Sequence, residues 1–432
     1  MQAGFFIIYL FAALYQILAR RRIDVFSVAV AGCCAYFVPG LFGWVVDPNE
    51  FANDSWRLRT MPLDPLWYGV AAIVLGSVLL TEMIYDQKDA MGVRRGCRKS
   101  AMQVGLLCGT ACSVAGWLTF VALVFDVTTA GSALWSLDKS EVLAAASGWT
   151  ILRNSSCCVA AVLLIGGRNR LILAAVVLTL FVDVFSGHRS TAAMLVTSCI
   201  LFSSRAAIRT RLIIEKPRVV GVILLFAAVV ICYKAIYVFI KAGDLSAIAE
   251  LVGGGRFLNV AVFSSEPFVT QAILNDTLRY GLSVPPSQIL IQVLQNFMLF
   301  APNLGLETQG FGETAASVFY PSVEWGVASN IWAQMIAAGG TAGLLVFLVV
   351  FNTVLLLLAS MIRRGGEVVS RGAAIVASYW AFFIHRNDVG YILNIEKRRL
   401  LCLGLCLFIA VLVHWRSFLR RGKMLSTEGE ML

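Results

Sequence analysis

The chain has 432 residues, of which 59% are hydrophobic and only 14% charged, and its mean hydropathy is +0.80. Apolar residues recur in blocks near the length a bilayer core demands, which excludes an ordinary soluble domain and points to an all-α, polytopic transmembrane bundle. The formal net charge of +10 matters less than its placement, because the basic residues gather in the connections between apolar blocks, and nucleic acid is not an expected partner.

The first block, Ala3 to Leu18, is followed by Arg20, Arg21 and Arg22. That basic flank lies on the wrong side for a cleaved leader, so the block reads as the first spanning helix. Further spans are expected near 25–46, 65–85, 102–125, 149–166, 171–186, 190–204, 219–240, 328–362, 372–386 and 398–415. That makes about 11 spans. The stretch 328–362 is too long for one straight crossing, so its first turns should stand outside the membrane or the helix should tilt strongly.

Basic clusters fall on every second connection: Arg20–Arg22, Lys88 to Lys99, Arg168 with Arg170, Arg205 to Arg218, Arg363 to Arg371, and Arg416 to Lys423. By the positive-inside rule these segments are cytoplasmic, the amino terminus is outside and the tail inside. The 11 cysteines lie in spans or on the cytoplasmic side, which suggests no disulfide and no thiolate zinc site. The pairs Cys33-Cys34 and Cys157-Cys158 read as small apolar residues at helix contacts.

The organisation is then three-part: 1–240 with eight spans, 241–327 as one large outer loop, and 328–432 with three spans and a tail. A loop of that size in a helical bundle is a natural place for binding or catalysis. It contains short apolar runs rather than a core of its own. One of them begins at Pro285-Pro286-Ser287 and ends before Pro302, with Gln288, Gln292, Gln295 and Asn296 on one narrow face. Such an amphipathic helix is too short to cross, so it is expected to lie in the interface or tuck against the bundle with its amide stripe toward water or ligand.

Soluble catalytic signatures are missing: the chain has no GxxxxGK[ST], GxSxG, HExxH or paired CxxC, so nucleotide-driven transport is not suggested and no metal site is expected. What stands out is a set of cations on the outer side, where the topology should thin them: Arg153, Arg189, Arg256, Arg279, Arg386 and Lys397 to Arg399. A guanidinium near membrane depth needs a carboxylate, carbonyl or phosphate, and its planar fork suits phosphate oxygens. Ser186-Gly187-His188-Arg189 forms a tight polar hairpin, and Gly253-Gly254-Gly255-Arg256 offers flexible backbone donors beside one cation; both also read as a snorkelling arginine and a hinge. His385-Arg386-Asn387-Asp388 is either a site or a capped turn with an Arg–Asp pair. Glu313 and Glu324, among glycines and aromatics, are candidate bases of the kind sugar chemistry uses; a solvated loop acid is the commoner role.

The hairpin Ser186-Gly187-His188-Arg189, the dominant outer loop in the second half and the segment GFGETAASVFYPSVEWG leading into a glycine-bearing span resemble the Wzy-type polymerases of O-antigen and related oligosaccharide repeat units, and more distantly the O-antigen ligases. The resemblance implies a multi-pass protein of the bacterial inner membrane with its active site facing the periplasm. The implied reaction is a metal-independent glycosyl transfer without cofactor, in which a growing glycan leaves undecaprenyl pyrophosphate and joins the next lipid-linked unit. Arg189, Arg256, Arg279, His385 and Arg386 would then bind the pyrophosphate and substrate, and Glu313, Glu324 or His188 would act as catalytic groups. Implied partners are the undecaprenyl-pyrophosphate-linked oligosaccharide, membrane lipids, a chain-length regulator and a flippase. The alternatives are an O-antigen ligase and a lipid-linked glycan flippase or other secondary transporter.

Overall fold

The computed structural model of the chain describes residues 1–19, 23–48, 59–90, 101–135, 139–165, 167, 169–186, 190–203, 240, 243–254, 257, 265–297, 309–321, 323 and 328–429. It is nearly all helix. The chain divides into two compact units, each drawn from separate stretches: Met1–Val93, Ser203–Arg363 and Val376–Glu396 form the first, and Arg94–Phe202, Arg364–Ile375 and Lys397–Leu432 the second.

Helix α1 (Gln2–Leu14) runs into a π turn at Tyr15–Ala19, within which Gln16 donates to the buried Glu82 at 2.7 Å. Helix α2 (Val25–Tyr36) starts where the Asp24 carboxylate accepts the N–H groups of Phe26 and Ser27, the usual device for satisfying a first turn. The span expected at 25–46 is helical only to Phe42, with a turn inside it. Phe37 ends α2, a single turn α3 (Pro39–Phe42) follows, and Gly43 takes φ 81. Strand β1 (Trp44–Val46) then pairs antiparallel with β2 (Thr60–Pro62). Glycines also set helix spacing here. A Cβ on Gly32 would lie 2.8 Å from the Ala381 carbonyl oxygen, and one on Gly40 2.6 Å from both the Phe5 and Trp67 rings.

Helices α4 (Pro65–Ala90), α5 (Ala101–Ala130), α6 (Lys139–Leu164), α7 (Arg170–Phe185) and α8 (Ser190–Ser203) follow, then the short α9 (Leu245–Gly253), α10 (Glu266–Tyr280), α11 (Pro286–Phe297) and α12 (Phe311–Phe319). Three longer helices close the chain: α13 (Ile331–Arg364), α14 (Glu367–Phe382) and α15 (Val389–Gly429). Most of 385–399, expected as a connection, belongs to the start of α15, which Asp388 caps by accepting the Tyr391 N–H at 2.8 Å.

Among the described residues, six helices are long and apolar enough to cross a membrane: Val25–Phe42, Pro65–Asp86, Gly105–Trp135, Ile331–Arg364, Glu367–Arg386 and Val389–Trp415; Gln2–Leu18, Gly148–Leu164 and Ser190–Ser203 are apolar but shorter. The span expected at 219–240 lies almost wholly outside the described residues. The overlong α13 is broken near its start. Gly339 and Gly340 leave helical geometry, Gly340 at φ 59 and ψ −148, a combination open to glycine alone. A short leading segment is thereby separated from a long apolar one.

In the second unit, Cys108, Cys112, Cys157, Cys158, Cys402 and Cys406 pack with alanines as small buried residues. Arg371 donates to the Val162 and Ile165 carbonyls at the end of α6 and to Glu367, with its face over Phe202. A cation thus satisfies carbonyls that the helix end leaves open.

Candidate functional site

The first unit is organised around α10, which the sequence presents as a loop segment. Pro267 sits in its first turn, where a missing N–H costs nothing, and Gly281 ends it at φ 76 with its N–H bonded to the Thr277 carbonyl. Every residue from Phe268 to Thr277 is buried, although Thr270, Gln271, Asn275, Asp276 and Thr277 are polar. A polar helix buried on all sides needs hydrogen-bond partners, and distant segments supply them. Trp67 Nε1 donates to Gln271 Oε1 at 3.0 Å, and the Asp64 N–H donates to Asn275 Oδ1 at 2.7 Å. Asn330 Nδ2 reaches the Thr270 carbonyl at 3.1 Å, and the Tyr320 hydroxyl reaches Asp276 Oδ2 at 2.6 Å.

Beside α10, Asn330 caps the start of α13 by accepting from the N–H groups of Trp332 and Ala333. Trp332 Nε1 then donates to His385 Nδ1 at 2.9 Å. An indole N–H only donates, so Nδ1 is the acceptor and the neutral imidazole keeps its proton on Nε2. The ring stacks on Tyr36 and meets Phe37 edge to face. Five buried polar atoms of this seam, Gln271 Nε2, Asp276 Oδ1, Thr277 Oγ1, Ser329 Oγ and His385 Nε2, have no hydrogen-bond partner among the described residues. Each such group left unmet costs about 1–3 kcal/mol.

The amide stripe of α11 turns inward. Gln292 accepts from Gln334 Nε2 at 2.9 Å, and Gln334 in turn accepts the Val389 N–H at 3.0 Å. Gln288 and Gln292 both donate to the Gln309 carbonyl, and Asn296 donates to the Gly390 carbonyl at 3.1 Å. Just before α11, the Val284 N–H takes the Ala337 carbonyl at 3.0 Å, next to the break in α13. The stripe expected to face water or ligand instead fastens the loop to the starts of two long helices.

Of the residues singled out from sequence, His188, Arg189, Arg256 and Glu324 lie outside the described residues. Glu313 is exposed at the start of α12, where its carboxylate accepts the Gly310 N–H at 3.3 Å. It sits near Asp388, whose pKa is raised by burial and further by the Glu313 charge, while N–H groups of Tyr391, Phe311 and Gly312 lower it. Arg386 pairs with Glu266 at 2.7 Å, not with Asp388. Arg279 donates to the Pro62 carbonyl at 2.9 Å. Glu266 and Arg279 stand at opposite ends of α10, about 20 Å apart by helical rise, so Arg386 and Arg279 are not gathered on one spot. Arg153 is buried between Asp126 and Asp183 in the second unit.

Asp276 was not among the sequence candidates. Burial pushes its carboxyl from 3.8 up to about 6, against the Tyr320 hydrogen bond that lowers it; Asp47 raises it and Arg279 lowers it. Among the described residues no three His, Cys, Asp or Glu side chains gather as a metal site. Comparison with protein-family models, curated proteins and solved structures returned no match.

Proposed function

We propose that the chain is a membrane glycosyltransferase of the polysaccharide-polymerase kind, joining lipid-pyrophosphate-linked oligosaccharide units at the extracytoplasmic face of the inner membrane. The observation that supports this reading best is the seam around α10: a buried polar helix beside which Gln271 Nε2, the Thr277 hydroxyl and the His385 Nε2–H have no partner among the described residues. Sugar hydroxyls are the complementary groups. An elongated polar seam with an arginine towards each end suits an oligosaccharide carrying a pyrophosphate, whose charge Arg386 or Arg279 would stabilise as the donor bond breaks. Arg189 and Arg256 remain part of the proposed phosphate-binding set. Glu313, beside Asp388, is the exposed carboxylate placed to take the acceptor hydroxyl's proton, with Glu324 and His188 as the other proposed bases.

The test uses the full-length protein in detergent with a lipid-pyrophosphate-linked repeat unit and follows chain length on a gel. Polymer formation that falls at least tenfold in Arg386→Ala supports the reading. Absence of any lengthened product from folded protein defeats it. One observation favours transport as a second reading: Arg153, Asp126 and Asp183 are buried in apolar helices, and intramembrane charges often mark a substrate or ion path. Movement of the lipid-linked unit across vesicles without any bond formation would select that reading.

A further inference from the structure

Helix α11 is built inside out. Its amide face is turned into the protein, with Gln292 only 4% exposed, while Leu290 and Leu294, one turn apart on the opposite face, are 59% and 43% exposed. Pro285, Pro286 and Ser287 at its start are exposed too, and no charged residue occurs from Gly281 to Phe297. A surface helix bathed in water shows the reverse arrangement, apolar face in and polar face out. Inverted polarity is what a helix shows when its surroundings are hydrocarbon.

The position of α11 fits this. The N–H of Val284, two residues before its start, donates to the Ala337 carbonyl beside the break in α13, and Asn296 near its end donates to the carbonyl of Gly390, the second residue of α15. Both partners lie where an apolar helix of spanning length begins or is interrupted. Twelve residues rise only about 18 Å, too little to cross. We infer that α11 lies along the membrane boundary with Leu290 and Leu294 in the acyl chains of the adjoining leaflet, its amides sealed against α13 and α15. The occupant of the exposed ridge is lipid. This rests on the membrane character of the chain and not on the polymerase reading, so each can fail alone.

The experiment uses the intact wild-type protein in phosphatidylcholine vesicles containing a trace of lipid with a diazirine in its acyl chain. After irradiation, carbene insertion is mapped by peptide mass spectrometry. Insertion at Leu290 and Leu294 should match that at Val346 and Val349, exposed residues of the long segment of α13, and exceed that at the exposed Glu141 at least fivefold. Insertion no higher than at Glu141 overturns the inference. So does a Leu290→Cys variant that a bismaleimide joins to a second copy where wild type is not joined, with no lipid insertion at α11, which would make the ridge a contact between chains.

Discussion

Two buried polar regions in this protein are built on opposite terms. In the second unit, Arg153 donates to both Asp126 and Asp183, and Thr150 donates to Asp126; with its amide turned, Asn154 adds further bonds to Asp183. All four carboxylate oxygens of the two aspartates there have a donor. Around α10 in the first unit, comparable depth of burial coexists with donors of Gln271, Thr277 and His385 that have no partner among the described residues. A closed network holds helices together, whereas an open one keeps hydrogen-bonding capacity for something that arrives. Under the proposed function, the contrast sets a structural tie beside a binding seam made of the same kinds of side chain.

The largest effect should come from opening the closed network. Arg153→Met leaves two buried carboxylates without their cation, a change that costs about 3–5 kcal/mol, and the fraction surviving a heat step followed by gel filtration should drop sharply. Adding Asp126→Asn and Asp183→Asn to Arg153→Met should restore much of that fraction. If Arg153→Met is as heat-stable as wild type but abolishes function, the triad is a site rather than a tie and the comparison is wrong.

Asp276 tests the other region through pH. Its carboxyl is raised from 3.8 to about 6 in the fold, so the native state holds the proton at pH values where the unfolded chain has lost it. That contribution is full below pH 3.8 and is lost as pH rises through about 6. The difference corresponds to roughly 3 kcal/mol. Thermal midpoints should fall between pH 5 and pH 7.5 in wild type and change less in Asp276→Asn. Tyr320→Phe removes the hydroxyl that lowers the pKa, so the fall should move to higher pH; an unchanged profile in both variants removes Asp276 from the account.

A smaller and sharper effect concerns the unmet donors. Thr277→Val keeps shape and deletes a hydroxyl that has no partner among the described residues, so stability should hold or rise by about 1 kcal/mol. Glycan lengthening should fall by up to about tenfold, the worth of one hydrogen bond to substrate. Lower stability with undiminished lengthening would make Thr277 an ordinary packing residue and close the supposed seam.

Sequence reading reached the helical class, the apolar blocks and the amide face of α11, because these are local: periodicity, turn formers and composition lie within a dozen residues. It also marked α13 as too long for one crossing, and the Gly339-Gly340 break accounts for the excess. The burial of α10 was out of reach. Its caps, Pro267 and Gly281, are readable, but its polar composition resembles a surface segment, and its partners Asp64, Trp67 and Asn330 are long-range neighbours that only the fold supplies. The direction of the α11 amides was misread for a related reason: an amphipathic pattern fixes two faces, not which one meets the protein. Likewise β1 is three residues long, below the length at which alternation signals a strand.

The smallest predicted effect is also the most discriminating for chemistry. Glu313 accepts the Gly310 N–H in a capping arrangement at the start of α12, a role glutamine can fill through its amide oxygen. Glu313→Ala should therefore cost about 0.5–1 kcal/mol, and Glu313→Gln close to nothing. A proton acceptor does not survive the same exchange, since an amide is not a base. With both variants folded, polymer formation lost in Glu313→Gln assigns the carboxylate to proton transfer. Full activity in Glu313→Gln leaves Glu313 as a cap, and the base must then be sought at Glu324, His188 or the neighbouring Asp388.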